Sequence, residues 1–118
     1  VLKLVNTERK KAGLTELTWD DTVATAAMTR SKEIEKSFSH TRPDGRNFGT
    51  AITDLGITYR GAGENIAWGQ KTPEAVMNAW MNSEGHRANI LNPNFKKLGV
   101  GYRTDSQRTP YWTQLFTY

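Results

Sequence analysis

Leu4, Val5, Glu8 and Ala12 recur at intervals of one helical turn near the start of the chain, and Gly13 follows them. That spacing predicts an amphipathic helix with glycine as its stop. Trp19, Val23, Ala26, Ala27, Arg30 and Ile34 carry the same period through a second, longer segment. Thr18-Trp19-Asp20-Asp21 reads as its capping box, with an acid three places after the threonine. Arg42-Pro43-Asp44-Gly45 has the composition of a tight turn, and Phe48, Ala51, Ile52 and Leu55 trace one face of a third helix that Gly56 ends. Ile57 to Arg60 reads as a short strand running into a glycine-rich loop that holds Gly63-Glu64-Asn65-Ile66.

Thr72-Pro73-Glu74 is a helix start, with a hydroxyl to cap and a proline for the first turn. Val76, Met77, Trp80 and Met81 give that fourth helix a broad apolar face, with Trp80 in the core. The helix is expected to end by Asn82, and a short new one, capped by Ser83, to run to Ile90-Leu91 and stop at Asn92-Pro93. Beyond it the period changes from helical to alternating: Leu98, Val100, Tyr102, then Trp112, Gln114, Phe116, Tyr118, joined by the polar stretch Asp105 to Pro110. Two alternating runs with a polar connection predict a hairpin. The whole reads as an α+β domain over residues 1–118, with a small antiparallel sheet between helical layers.

The 118 residues suffice for one core, and 36% hydrophobic against 24% charged residues is a globular composition. No window approaches the roughly 18 apolar residues of a membrane span. The chain opens on Val1, as expected of a processed product or an excised domain. A formal charge of +4 favours anionic surroundings, but Arg9-Lys10-Lys11, Lys96-Lys97, Arg103 and Arg108 lie on separate segments and alternate with acids. A solvated mixed face is expected there, and no specific nucleic-acid partner. Cysteine is absent, which excludes disulfides, thiolate zinc sites and a cysteine nucleophile.

The chain holds two histidines, His40 and His86. His40 follows the second helix in a loop suited to pointing a side chain into a cleft. His86 falls in the first turn of the short helix, where the positive end of the dipole favours neutral imidazole, the state needed of a metal ligand or general base. Neither belongs to a compact metal motif, so a site would need residues brought together by the fold. Ser39-His40 and Ser83-Glu84-Gly85-His86 also place serine near histidine, but the G-x-S-x-G elbow is missing and a helix cap accounts for Ser83.

F-S-H-T-R-P-D-G, G-E-N-I-A-W-G, W-M-N-S-E-G-H-R-A-N-I-L, L-G-V-G-Y and Y-W-T-Q-L-F occur in an order that resembles the CAP superfamily of cysteine-rich secretory proteins, antigen 5 and plant pathogenesis-related proteins. The opening N-T-E-R-K-K-A-G-L fits as well, so the likeness spans the chain, and its short loops and lack of cysteine look like the bacterial branch. The resemblance implies an α-β-α sandwich, secreted or at the cell surface, with a cleft lined by two histidines and two glutamates. His40 matches the first cavity histidine and Glu64 the acid of G-E-N, with Asn65 pinning its loop. The second acid of eukaryotic members falls at Ser83, one place before Glu84. Their second histidine precedes T-Q in the last strand, where this chain carries Tyr111 ahead of Gln114, and the bacterial pattern supplies His86 instead.

Two functions follow as expectations. One is a binding module that holds a divalent cation through His40 and His86 with Glu64 or Glu84 nearby, zinc before magnesium or calcium, or an extracellular lipid, peptide or cell-wall component, in a cavity to which Asn65, Tyr111 and Gln114 also belong. The other is a hydrolase with Glu64, His40 and His86 as its catalytic groups. A structural platform is a third, and a monomer without organic cofactor is expected throughout.

Overall fold

The computed structural model describes residues 1–118, ordered as helix α1 (Leu2–Lys11), strand β1 (Thr18–Trp19), α2 (Asp21–Lys36), α3 (Thr50–Thr53), β2 (Ala62–Trp68), α4 (Pro73–Met81), α5 (Glu84–Ile90), β3 (Lys97–Thr104) and β4 (Pro110–Thr117). The sheet order is β1-β3-β4-β2. β4 is antiparallel to β3 and β2, and β1 is parallel to β3.

Alternation along β4 explains the three layers. Trp112 and Phe116 join Val5, Val76, Met77, Trp80, Ile90 and Leu98 in one core beneath α1, α4 and α5. Leu115 points the other way, into a second core with Val23, Ala26, Ala27 and Ile52 of α2 and α3. One strand therefore feeds two cores, as a period of two requires. The chain folds as an α-β-α sandwich.

Glycines in β3 set how close α2 lies to the sheet. A Cβ on Gly99 would come within 2.2 Å of the Ala24 nitrogen, and one on Gly101 within 2.4 Å of the Ala27 carbonyl oxygen. Any side chain there would push α2 outward, and with it Arg30, one turn further along.

Several expected elements differ. The stretch around Gly63-Glu64-Asn65-Ile66 is the edge strand β2, not a loop, with Glu64 paired to Leu115 and Asn65 to Gln114. Thr18 lies in β1 rather than capping α2; Asp20 is the cap and accepts from the amides of Thr22 and Val23 at 2.9 and 3.0 Å. The third helix is one turn, and residues 57–60 form no strand. Pairing decided the first two cases, because β1 and β2 exist through hydrogen bonds to distant strands. Thr72 caps α4 as expected, accepting from the Ala75 amide at 3.1 Å.

Candidate functional site

His40 and His86 both line an open cleft of about 470 Å³. Ile66, Ala67, Ala79 and Trp80 give it apolar walls, and Ser39, Gln70 and Ser83 add polar groups. Trp80 is thus both core and cleft wall: it is 1% exposed and its indole N–H donates to the Ile66 carbonyl at 3.3 Å.

His40 sits on the loop after α2, with its side chain 58% exposed. Its Nδ1 lies 2.8 Å from Glu64 Oε1. A carboxylate accepts, so Nδ1 carries the proton and Nε2 is left bare in the neutral ring. Glu64 itself is fully buried and committed. Arg30 Nε donates to its Oε2 at 2.6 Å and Arg30 Nη2 to its Oε1 at 3.1 Å. The same guanidinium donates to the Ser39 carbonyl, fixing the loop next to His40, and to Glu33 Oε1 at 2.8 Å.

The chain of charge continues outward. Arg42 forks onto Glu33, with Nη2 to Oε2 at 2.8 Å, and reaches Asp54 Oδ2 at 3.1 Å. Arg46 joins Asp54 to Asp44. Burial opposes the Arg30 charge, but hydrogen bonds to Glu64 and Glu33 outweigh it and raise the pKa further. The ladder holds the turn at residues 41–47 against α2, and with it the loop that carries His40.

His86 is placed from the opposite side. Its Nδ1 lies 2.9 Å from Ser83 Oγ. Ser83 stands at the cap position of α5 but makes no side-chain cap bond, so its hydroxyl is given to the histidine instead of the backbone. Burial first, and the neighbouring His40 second, push the His86 pKa below its usual range. The ring is therefore neutral at neutral pH.

Asn65 ties this helix to the strand. Its Nδ2 donates to the His86 carbonyl and to Gln114 Oε1, both at 3.0 Å, and its Oδ1 accepts from Asn89 at 2.9 Å. Gln114 is buried behind it, with its amide 3.9 Å from Met77 Sδ. Asn65 and Gln114 thus hold α5 and do not line the cleft. Glu84 is exposed in the first turn of α5, and Tyr111 points its hydroxyl at Asp105 Oδ2, 3.4 Å away in the β3–β4 turn. The fold brings His40, Glu64 and His86 together and leaves Glu84 and Tyr111 outside.

Arg30 is the residue that sequence reasoning missed. Its signal was present: a charge on the apolar stripe with Ala26, Ala27 and Ile34 implies a buried partner. The donor set for a cation is correspondingly small. No group of three or more His, Cys, Asp or Glu side chains is placed to hold a metal ion. Two imidazole Nε2 atoms remain, with Glu64 behind one of them as the carboxylate that orients it. An imidazole pair suits a borderline ion like zinc better than magnesium or calcium, which take oxygen ligands.

The geometry has close relatives. The profile of the cysteine-rich secretory protein family, CAP, matches residues 2–116. The uncharacterized protein YkwD of Bacillus subtilis (strain 168) is 48% identical over 118 residues, which is 98% of this chain and 45% of that protein. The uncharacterized membrane protein YlbC of the same organism is 35% identical over 98% of this chain and 33% of its own length. The chain thus spans less than half of either relative. An extracellular SCP-domain protein from Bacillus anthracis str. Ames superposes with a TM-score of 0.90 at 35% identity, covering 98% of this chain and 38% of that one. An outer surface protein from Borrelia burgdorferi shares the fold, with a TM-score of 0.89 at 24% identity over 98% of this chain and 87% of its own. Matched from end to end and built on the same three layers as these bacterial proteins, the chain belongs to the CAP family of cysteine-rich secretory proteins.

Proposed function

We propose that this domain is an extracellular recognition module whose cleft holds a zinc-type divalent cation between His40 and His86. What supports the reading is that both histidines line one cleft with Nδ1 engaged, one by Glu64 and one by Ser83, which leaves Nε2 as the ring nitrogen for a ligand. Neutral His86 adds to it, since a metal competes only with protons on an imidazole. A bound cation supplies a Lewis-acidic point with open positions for water or ligand. The extracellular setting rests on the likeness to the extracellular protein from Bacillus anthracis.

Titration calorimetry of metal-stripped protein with Zn²⁺, Mg²⁺ and Ca²⁺ tests this, beside a folded His40→Ala, His86→Ala double variant. Saturable zinc binding in the parent alone is expected, with no heat from the other two ions. Equal zinc binding by both proteins, or none by the parent, would remove the metal.

The competing reading is a hydrolase. Its favourable observation is Ser83 Oγ at 2.9 Å from a neutral imidazole. Against it, Glu64 is committed to Arg30 and His40, so it is neither a free base nor an orienting partner for His86. A serine-directed fluorophosphonate should therefore leave Ser83 unmodified, and labelling there would favour the hydrolase.

A further inference from the structure

The two most exposed large apolar side chains of the molecule, Trp68 at 57% and Phe38 at 48%, both line the cleft that contains the histidines. Elsewhere exposed aromatics are scattered, as on most surfaces. Here they flank a wall of neutral hydrogen-bonding groups, Ser39, Ser83 and Gln70. No lining residue is an Asp, Glu, Lys or Arg, although 24% of the chain is charged. Gln70 adds a buried side-chain carbonyl oxygen with no hydrogen-bond partner. Its backbone is pinned, since its carbonyl accepts from the Trp112 indole at 2.8 Å, and the half-buried residue is part of the cleft lining.

From these four features we infer that the cleft takes a neutral, N-acetylated hexose chain. In the metal-free cleft, the absence of charged lining speaks against phosphate, carboxylate and ammonium ligands, which need a paired counter-charge once desolvated. Openness speaks against a lipid tail, which needs enclosure to bury its methylenes. A sugar ring matches what is present: an apolar face to lie on Trp68, hydroxyls for the serines and imidazoles, and an acetamido N–H for the unpaired oxygen of Gln70. The acetyl methyl finds its apolar contact at Ala67 or Ala79. The inference rests on the cleft being a recognition site, but not on the metal.

The probe is tri-N-acetylchitotriose, titrated by calorimetry into metal-stripped and zinc-loaded protein, with a capped tetra-alanine peptide as the neutral amide control. Binding of the trisaccharide and not the peptide is expected, weakened roughly tenfold in Trp68→Ala. Phe38→Ala is the second variant, should the first fail to fold, with a weakening in the same direction. Trp68→Ala should keep its zinc binding, because the imidazoles are held by Glu64 and Ser83 and not by Trp68. Three results would overturn the inference: no trisaccharide binding by the parent, binding of the peptide instead, or unchanged affinity in both variants. Trisaccharide binding without zinc binding would overturn the metal reading alone, and zinc binding without trisaccharide would overturn this one alone.

Discussion

Arg9 and Arg30 are both wholly buried, yet they are neutralised in opposite ways. Arg9 meets no carboxylate. Its Nε donates to the Thr15 carbonyl at 2.8 Å and its Nη1 to the carbonyls of Ile90 and Asn92 at 2.9 and 2.8 Å, so it gathers the end of α5 and the loop after α1 onto one cation. Burial pushes its pKa down, but a guanidinium stays charged at any ordinary pH. Arg30 meets two carboxylates and, through Glu64, a histidine that faces the cleft. The difference separates a cation that joins backbone segments from one that sets the state of a site. Carbonyl oxygens only need a donor, whereas Glu64 needs a counter-charge if it is to remain ionised and hold His40.

That contrast breaks first at Arg30. Arg30→Met leaves Glu64 buried without its cation and should cost about 3–5 kcal/mol in urea unfolding, as lone buried charges do. Adding Glu64→Gln should return part of it. A loss below about 1 kcal/mol would mean that Glu64 is solvated and the ladder is decoration. Arg9→Met should cost less, about 1–3 kcal/mol, because it orphans carbonyls and no charge. It should also leave zinc binding intact; equal damage to zinc binding in both variants would erase the distinction.

The smallest effect is the response to acid. Burial works against the Glu33 charge, but hydrogen bonds from Arg42 and then Arg30 outweigh it and hold its carboxyl below the usual range. A carboxyl with a depressed folded pKa takes up its proton more readily in the unfolded chain. Its contribution is therefore complete above about pH 4.3, the unfolded value, and fades as pH falls toward the folded one. Glu33→Gln should destabilise at neutral pH and flatten the decline below about pH 4.3. An unchanged acid profile would place the decline in other carboxylates, Asp20 and Asp54 among them, which are also depressed.

The same contrast explains what could be read from the chain. The helical stripe of α2, the Thr72-Pro73 start of α4 and the alternating pair β3 and β4 are local patterns, and each appears where its pattern falls. β2 was hidden because Glu64 and Asn65 look like loop residues. They are tolerated in a buried strand only because α2 brings Arg30 to one face and α5 brings Asn89 to the other. Arg9 was hidden inside a basic run, where Lys10 and Lys11 are exposed and it alone turns inward. Of the site, the histidines and Glu64 were legible as residue types. The hydrogen bonds that hold their rings were not, since these depend on Ser83 giving up its cap and on an arginine 34 positions before Glu64. Propensity speaks of neighbours along the chain, and these contacts are made across it.

The account turns on both imidazoles offering Nε2 to a cation in the cleft. Nitrogen-15 NMR of the histidine side chains in metal-free protein near neutral pH reads this directly. The account predicts the Nδ1–H tautomer for His40, whose Nδ1 faces a carboxylate, and on addition of zinc a shift of the Nε2 resonances of both rings. An Nε2–H tautomer at His40, or zinc that moves neither resonance, would contradict it.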